Sequence, residues 1–179
     1  MGKVIALVNQ KGGVGKTTSS INLAASLGFL KRRVLLIDLD PQGNATTGLG
    51  INKADVKASI YDLLMDRVTI EEVVIKTKFR NLSIIPATIN LAGIDIELME
   101  KKHQDPNFKP GEQLKKHLSL IVEQYDFIII DCPPSLGFLT KNALAAANSV
   151  IIPVQCEFFA LEGIMQLLNS IMMAQRSLN

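Results

Sequence analysis

The sequence predicts an α/β protein built on a mostly parallel, doubly wound sheet flanked by helices. Three observations predict it. Short unbroken apolar runs recur along the chain, at Val4–Val8, Val34–Ile37, Phe127–Ile130 and Val150–Val154, as expected of strands buried on both faces. Segments with apolar residues at helical spacing separate them. Strand and helix therefore alternate, which is the pattern of right-handed βαβ crossovers and a parallel sheet. A length of 179 residues fits one domain, and a composition 47% hydrophobic and 20% charged supports a sizeable core.

The first strand, Val4–Val8, leads into Asn9-Gln10-Lys11-Gly12-Gly13-Val14-Gly15-Lys16-Thr17-Thr18. A helix from Lys16 to Leu30 leads out, with Ile21, Ala24, Ala25 and Gly28 on one face. Strand, glycine-rich turn, Lys-Thr and helix together form an arrangement that holds nucleotide phosphates. Glycines let the backbone turn its N–H groups inward, where a side chain would obstruct a phosphate. Lys16 supplies a point charge for β- and γ-phosphates, the Thr17 hydroxyl is placed for Mg²⁺, and the positive end of the helix dipole points at the same anion. The standard loop is G-x-x-x-x-G-K-[ST], and here Gln10 stands where its first glycine belongs. Gly12, Gly13 and a second lysine, Lys11, replace it, giving the deviant Walker A form K-G-G-x-G-K-T-T of a P-loop NTPase.

Lys31-Arg32-Arg33 closes the helix with charges suited to its C-terminus. A solvated helix end is the plain reading, and contact with a phosphate backbone the sharper one. Strand two, Val34–Ile37, ends in Asp38-Leu39-Asp40-Pro41-Gln42-Gly43-Asn44. Carboxylates at i and i+2 project to the same side, at the C-terminal end of a strand, where ligands bind in open α/β sheets. Ala45–Lys57 reads as a loop. Ser59–Met65 reads as a short helix with Ser59 as cap, and Thr69 with Glu72 as a capping box. Leu82–Ala87 is the third strand. Asn90 is expected to cap a helix to about Lys102 with Leu91, Ile94 and Leu98 inward. Pro110 suits the first turn of the next helix, which turns Leu114, Leu118 and Ile121 inward. Strand four, Phe127–Asp131, is apolar and β-branched and ends in an aspartate, the Walker B pattern that holds Mg²⁺. An alanine-rich helix over Thr140–Ala147, the strand Val150–Val154 and a helix over Leu161–Arg176 complete the chain.

The other residues carry less. Cys132 and Cys156 lack metal-type spacing and read as reduced, buried thiols; His103 and His117 read as surface residues. A net charge of +2 does not imply nucleic-acid or membrane binding by bulk charge. No apolar run reaches spanning length and no signal sequence fits the N-terminus, so a cytoplasmic location is expected. Glu157, Phe158 and Phe159 suit a core, a nucleotide base or a dimer face; Met165, Met172 and Met173 suit packing.

Four stretches carry a resemblance: Lys11–Thr18, Asp38–Thr46, Ile130-Asp131-Cys132-Pro133-Pro134, and Phe158 with Ala160-Leu161-Glu162-Gly163. In order and content they look like the ParA/Soj family of chromosome- and plasmid-partitioning ATPases. The first motif is shared with the wider deviant Walker group, including MinD and the nitrogenase iron protein; Asp-Pro-Gln-Gly-Asn points to ParA/Soj. The resemblance implies an ATPase that binds MgATP through residues 11–18 and dimerises with ATP. Lys16 would bind the β- and γ-phosphates, Thr18 the α-phosphate, and Lys11 the partner's ATP across the dimer interface. Thr17, Asp38 and Asp131 would lie at Mg²⁺. Asp40 would position the attacking water, and Asp40–Thr47 would be a switch loop sensing the γ-phosphate. It implies a ParB-like activator and non-specific DNA as partners, no membrane, and a nucleoid-associated place in the cytoplasm. Residues 1–179 are expected to form a single nucleotide-binding domain, C-terminally truncated relative to that family. The alternatives are a MinD-like division-site ATPase, which needs an amphipathic membrane helix that is not visible here, an electron-transfer protein, which needs a second suitably placed cysteine beside Cys132, and a shortened, non-catalytic remnant.

Overall fold

The apolar runs become strands of one sheet whose faces are both covered. The computed structural model describes residues 2–155, 167–169 and 171–172. Its strands are β1 (Lys3–Leu7), β2 (Val34–Asp38), β3 (Ile75–Lys76), β4 (Leu82–Ile85), β5 (Phe127–Asp131) and β6 (Ser149–Ile151). Its helices are α1 (Lys16–Phe29), α2 (Asn44–Gly48), α3 (Ile60–Leu64), α4 (Ile70–Val73), α5 (Ile94–Gln104), α6 (Gln113–Leu118) and α7 (Phe138–Ala146). The strand order is β3-β4-β2-β5-β1-β6, parallel throughout except for the antiparallel pair β3–β4.

Side chains alternate between two apolar layers because successive strand residues face opposite ways. Val4, Ala6, Leu35, Ile37, Ile128 and Ile130 enter one layer with residues of α3 to α7. Ile5, Leu7, Val34, Leu36 and Ile129 enter the other, with α1 and α2. Full burial of each such side chain contributes about 1.5–3 kcal/mol. The face of α1 that meets the sheet is small: Ser20, Ala24 and Gly28 are buried, and the Gly28 backbone lies so close to Arg80 that a Cβ would come within 2.5 Å of the Arg80 carbonyl oxygen. In the β1–β5–β2 register, Leu7 and Asp38 both sit opposite Asp131, so the C-terminal ends of these three strands lie level.

Several elements depart from the sequence expectation. Residues 44–48, expected as loop, form α2, whose first turn is held by a tertiary contact described below. The two-residue β3 is too short to carry a periodic signal. Asn90 lies within a 3₁₀ turn over Ile89–Gly93 instead of capping α5, which begins at Ile94; Leu91, Ile94 and Leu98 are nonetheless buried. His117 is buried rather than exposed, because α6 turns it inward beside Leu114 and Leu118. Its Nε2 lies 3.0 Å from Asp66 Oδ1, and burial lowers its pKa against the pull of that carboxylate. The basic cluster lies beyond the helix rather than in its last turn, which holds no basic residue: α1 ends at Phe29, Lys31 turns the chain with a φ of 63°, and Arg33 pairs with Asp126 at 2.9 Å, at the entrance to β5. The expected Thr69–Glu72 box forms, with Thr69 N–H donating to Glu72, and the expected cap Ser59 belongs to a second box, its N–H donating to Asp62. In the last predicted helix, 167–169 and 171–172 are helical; Cys156, Glu157, Phe158, Phe159, the motif over 158–163, Met165 and Met173 lie outside the described residues.

Candidate functional site

The loop from Val8 to Gly15 joins the buried end of β1 to α1. It turns through left-handed backbone at Gly13 (φ 73°) and Gly15 (φ 89°), a conformation that costs other residues about 1–2 kcal/mol. Among the described residues no side chain caps α1 at Gly15, which leaves its first-turn N–H groups to the cleft, as an anion site requires. Asn9 braces the loop: its Oδ1 accepts from Lys11 N–H at 3.0 Å and its Nδ2 donates to the Pro153 carbonyl at 2.8 Å. The Gln155 side-chain amide donates to the Gly13 carbonyl at 3.2 Å. Lys16 is 7% exposed, and its ammonium donates to the Lys11 carbonyl at 3.1 Å. Burial lowers the Lys16 pKa, and the charges of Asp131 and Asp40 oppose that shift.

Asp131 ends β5 and is fully buried. Its Oδ1 accepts from the Ser20 hydroxyl at 2.9 Å, while its buried Oδ2 meets no donor within hydrogen-bond distance among the described residues. Burial is the main reason its carboxyl is pushed up to about 6; the charges of Asp38 and Asp40 add to this, and the Thr17 and Ser20 hydroxyls oppose it. An orphaned, buried carboxylate oxygen beside a threonine hydroxyl fits a divalent cation. Among the described residues no group of three or more His, Cys, Asp or Glu side chains could hold a metal alone, so the remaining ligands must come from water and a bound phosphate, as Mg²⁺ prefers.

Asp38 ends β2 and is fully buried, and both of its oxygens are engaged by the protein. Oδ2 accepts from Thr46 N–H at 2.8 Å and from the Thr46 hydroxyl at 2.7 Å, and Oδ1 from Asp40 N–H at 3.2 Å. Burial raises its pKa, and the bonds from Thr46 pull the other way. Its carboxylate thus acts as the cap of α2, a role the sequence reading did not give it. Asp40 is half-buried; its Oδ1 accepts from Gln42 N–H at 2.9 Å and its carbonyl from Gly43 N–H at 2.8 Å.

These groups surround an open cleft of about 380 Å³. Gly12, Gly13, Gly15, Lys16, Thr17, Thr18 and Asp40 line it, with Gln42, Asn44 and Pro134 opposite. Lys11 and Val14 do not line it: Lys11 is exposed and turns its carbonyl to Lys16, and Val14 is buried. Asp38 and Asp131 stand behind the lining. Gln42 and Asn44 fall within the expected Asp40–Thr47 switch loop, whereas Pro134 was given no site role; the available signal was its place three residues after Asp131. Ser20 and Thr46 act only through contacts across the fold, which no spacing reveals.

The chain is 55% identical over 179 residues to the sporulation initiation inhibitor protein Soj of Bacillus subtilis, covering 100% of this chain and 68% of that one. It is 49% identical over 179 residues to the chromosome partitioning protein ParA of Myxococcus xanthus, covering 100% of this chain and 61% of that one. The chain therefore spans roughly two thirds of these relatives. Its fold superposes with a TM-score of 0.92, at 39% identity, on a cobyrinic acid a,c-diamide synthase of Mycobacterium smegmatis solved with an ATP analogue and magnesium, covering 100% of this chain and 68% of that one. Among the described residues no helix is long and apolar enough to cross a membrane. Residues 2–179 match the AAA domain family, and on this match and its likeness to Soj and ParA the chain belongs to that family, in the ParA/Soj group of P-loop ATPases.

Proposed function

We propose that residues 1–179 are a single nucleotide-binding domain that binds MgATP, dimerises around it and hydrolyses it to drive chromosome or plasmid segregation. The observation that carries this reading is the convergence of Lys16, Thr17 and Asp40 on one cleft, with the orphaned Asp131 oxygen behind its lining, at the level ends of β1, β2 and β5. The amides of the glycine loop and α1 bind the phosphate oxygens, Lys16 spans the β- and γ-phosphates, and Thr18 reaches the α-phosphate. Thr17 and Asp131, with Asp38 behind them, hold Mg²⁺, which neutralises charge on the phosphate oxygens when bound. Asp40 accepts a hydrogen bond from the attacking water and aims it at the γ-phosphorus, since phosphoryl transfer is governed by positioning and electrostatics. Lys11, exposed at the mouth of the loop, supplies positive charge to the partner's ATP, so turnover depends on dimerisation and is slow until a ParB-like activator engages. Non-specific DNA completes the cycle, in the cytoplasm and on the nucleoid.

ATP hydrolysis and sedimentation of wild type beside Asp40→Ala test the reading. Wild type turns over ATP and forms a dimer with it, whereas the variant binds ATP and stays dimeric without turnover. A wild-type chain that neither binds ATP nor dimerises refutes it. Sedimentation with anionic vesicles and ATP separates it from a MinD-like role: binding to lipid but not to DNA would favour the latter.

A further inference from the structure

We propose that Thr46 is a positioning residue that holds the Asp40 loop in its working shape. The inference rests on the role given to Asp40 above and adds a residue with no contact to the cleft. Thr46 is fully buried. Its hydroxyl donates to Asp38 Oδ2 at 2.7 Å and accepts from Ala87 N–H at 3.0 Å, while its own N–H donates to the same Oδ2 at 2.8 Å. One hydroxyl thus uses its single proton on a carboxylate and a lone pair on an amide, a combination open only to a side chain that both donates and accepts.

The placement makes this more than a packed threonine. Asp38 receives the N–H of Asp40 on one oxygen and Thr46 on the other. Both ends of the segment carrying Asp40, Gln42 and Asn44 are therefore drawn to one carboxylate, and those three residues line the cleft. Thr46 then ties this closed loop to Ala87, just beyond β4, so its base is fixed to two strands. Asp38 is held by burial and by donors that cannot leave without stranding a charge. A loop so anchored keeps the Asp40 carboxylate in one place relative to Lys16 before any ligand arrives, which is what catalysis by positioning demands.

The test uses the whole chain with Thr46→Val, which keeps the shape and removes the hydroxyl, and Thr46→Ser, which keeps the hydroxyl and removes the methyl. Steady-state ATP hydrolysis and amide exchange are measured for each. A hydrogen bond to a charged group governs the opening of the loop by about tenfold or more. The Val variant therefore loses about tenfold or more in kcat with KM within about threefold, and exchange at Ala87 N–H speeds up by a similar factor. The Ser variant stays within about threefold of wild type in every measure. A Val variant with wild-type kcat, or a Ser variant as impaired as Val, overturns the proposal. If Thr46→Val does not fold, Thr46→Cys, a weak donor of similar volume, replaces it, and a wild-type kcat there is equally fatal. If wild type shows no hydrolysis, the functional reading fails on its own, and exchange at Ala87 still decides the clamp: protection unchanged in the Val variant overturns it.

Discussion

Replacing Asp131 with asparagine should stabilise the nucleotide-free protein at neutral pH while destroying its use of Mg²⁺. Burial lifts this carboxyl from its ordinary value near 3.8 to about 6. The folded state then holds the proton more tightly than the unfolded state between those values. Stability of the wild type therefore falls as pH rises from about 4 to about 6 and levels off above. At about 1.36 kcal/mol per pH unit, the full effect is about 3 kcal/mol. Asparagine cannot ionise, and its side-chain oxygen can keep the Ser20 hydrogen bond now made to Oδ1 at 2.9 Å. The buried Asp38 carboxylate repels that of Asp131, so removing the Asp131 charge also eases the ionisation of Asp38 and adds to the gain at neutral pH. The variant loses part of the gain because Lys16 is deprived of a nearby negative charge. Urea unfolding at half-unit steps from pH 4.5 to 7.5 should show the Asn variant pulling ahead of wild type by up to about 3 kcal/mol as pH rises. Adding MgATP should reverse the order, since only wild type offers the cation the Asp131 carboxylate. Parallel pH profiles, or a variant less stable than wild type at pH 7, would refute the assignment of Asp131 as a strained, cation-seeking group.

Three further outcomes follow from the packing. Gly28→Val places a Cβ within 2.5 Å of the Arg80 carbonyl and must lever α1 off the sheet; thermal unfolding should show a loss of about 1–3 kcal/mol. Gly15→Ala meets no atom within 4 Å, so its loss of about 1–2 kcal/mol comes from the φ of 89° alone, whereas Gly12→Ala, also in open space, should leave stability within about 0.5 kcal/mol while calorimetric titration shows weakened nucleotide binding. Asn142 is fully buried; it donates to the carbonyls of Pro110 and Phe138 and accepts from Leu114 N–H, so Asn142→Ala should lower denaturant stability by about 2–4 kcal/mol by stranding all of these partners.

What could be read in the chain was what short-range chemistry decides. The apolar runs of β1, β2 and β5 announce themselves because both faces are buried, and the capping boxes at Ser59 and Thr69 are local by construction. The glycine loop and Lys16 stood out because phosphate binding calls for those residue types at those spacings, Asp40 stood out through the family resemblance, and the fold brings them to one cleft. The misses share another cause. α2 has glycine and adjacent threonines, poor helix formers, and forms where Asp38 reaches across to its first turn. His117 read as a surface residue because it lacks metal-type spacing, and its partner Asp66 lies 51 positions earlier, at a turn residue with positive φ. Asp38 was given a place at Mg²⁺ by the family resemblance, while its bonds to Thr46 are visible only in the fold.

The hydrogen bond from the Lys16 ammonium to the carbonyl of Lys11 has a kinetic implication. An ammonium in open water must shed its hydration shell before it can grip an anion, but this one is already largely dehydrated and parked on its own loop, five residues back. Capture of a phosphate then becomes an exchange of one oxygen partner for another across a short swing, with little solvent to rearrange. The freed carbonyl belongs to Lys11, the residue facing outward. Filling the loop therefore frees the Lys11 backbone, and on the role proposed above for Lys11 that would couple occupancy of the loop to the surface a partner meets.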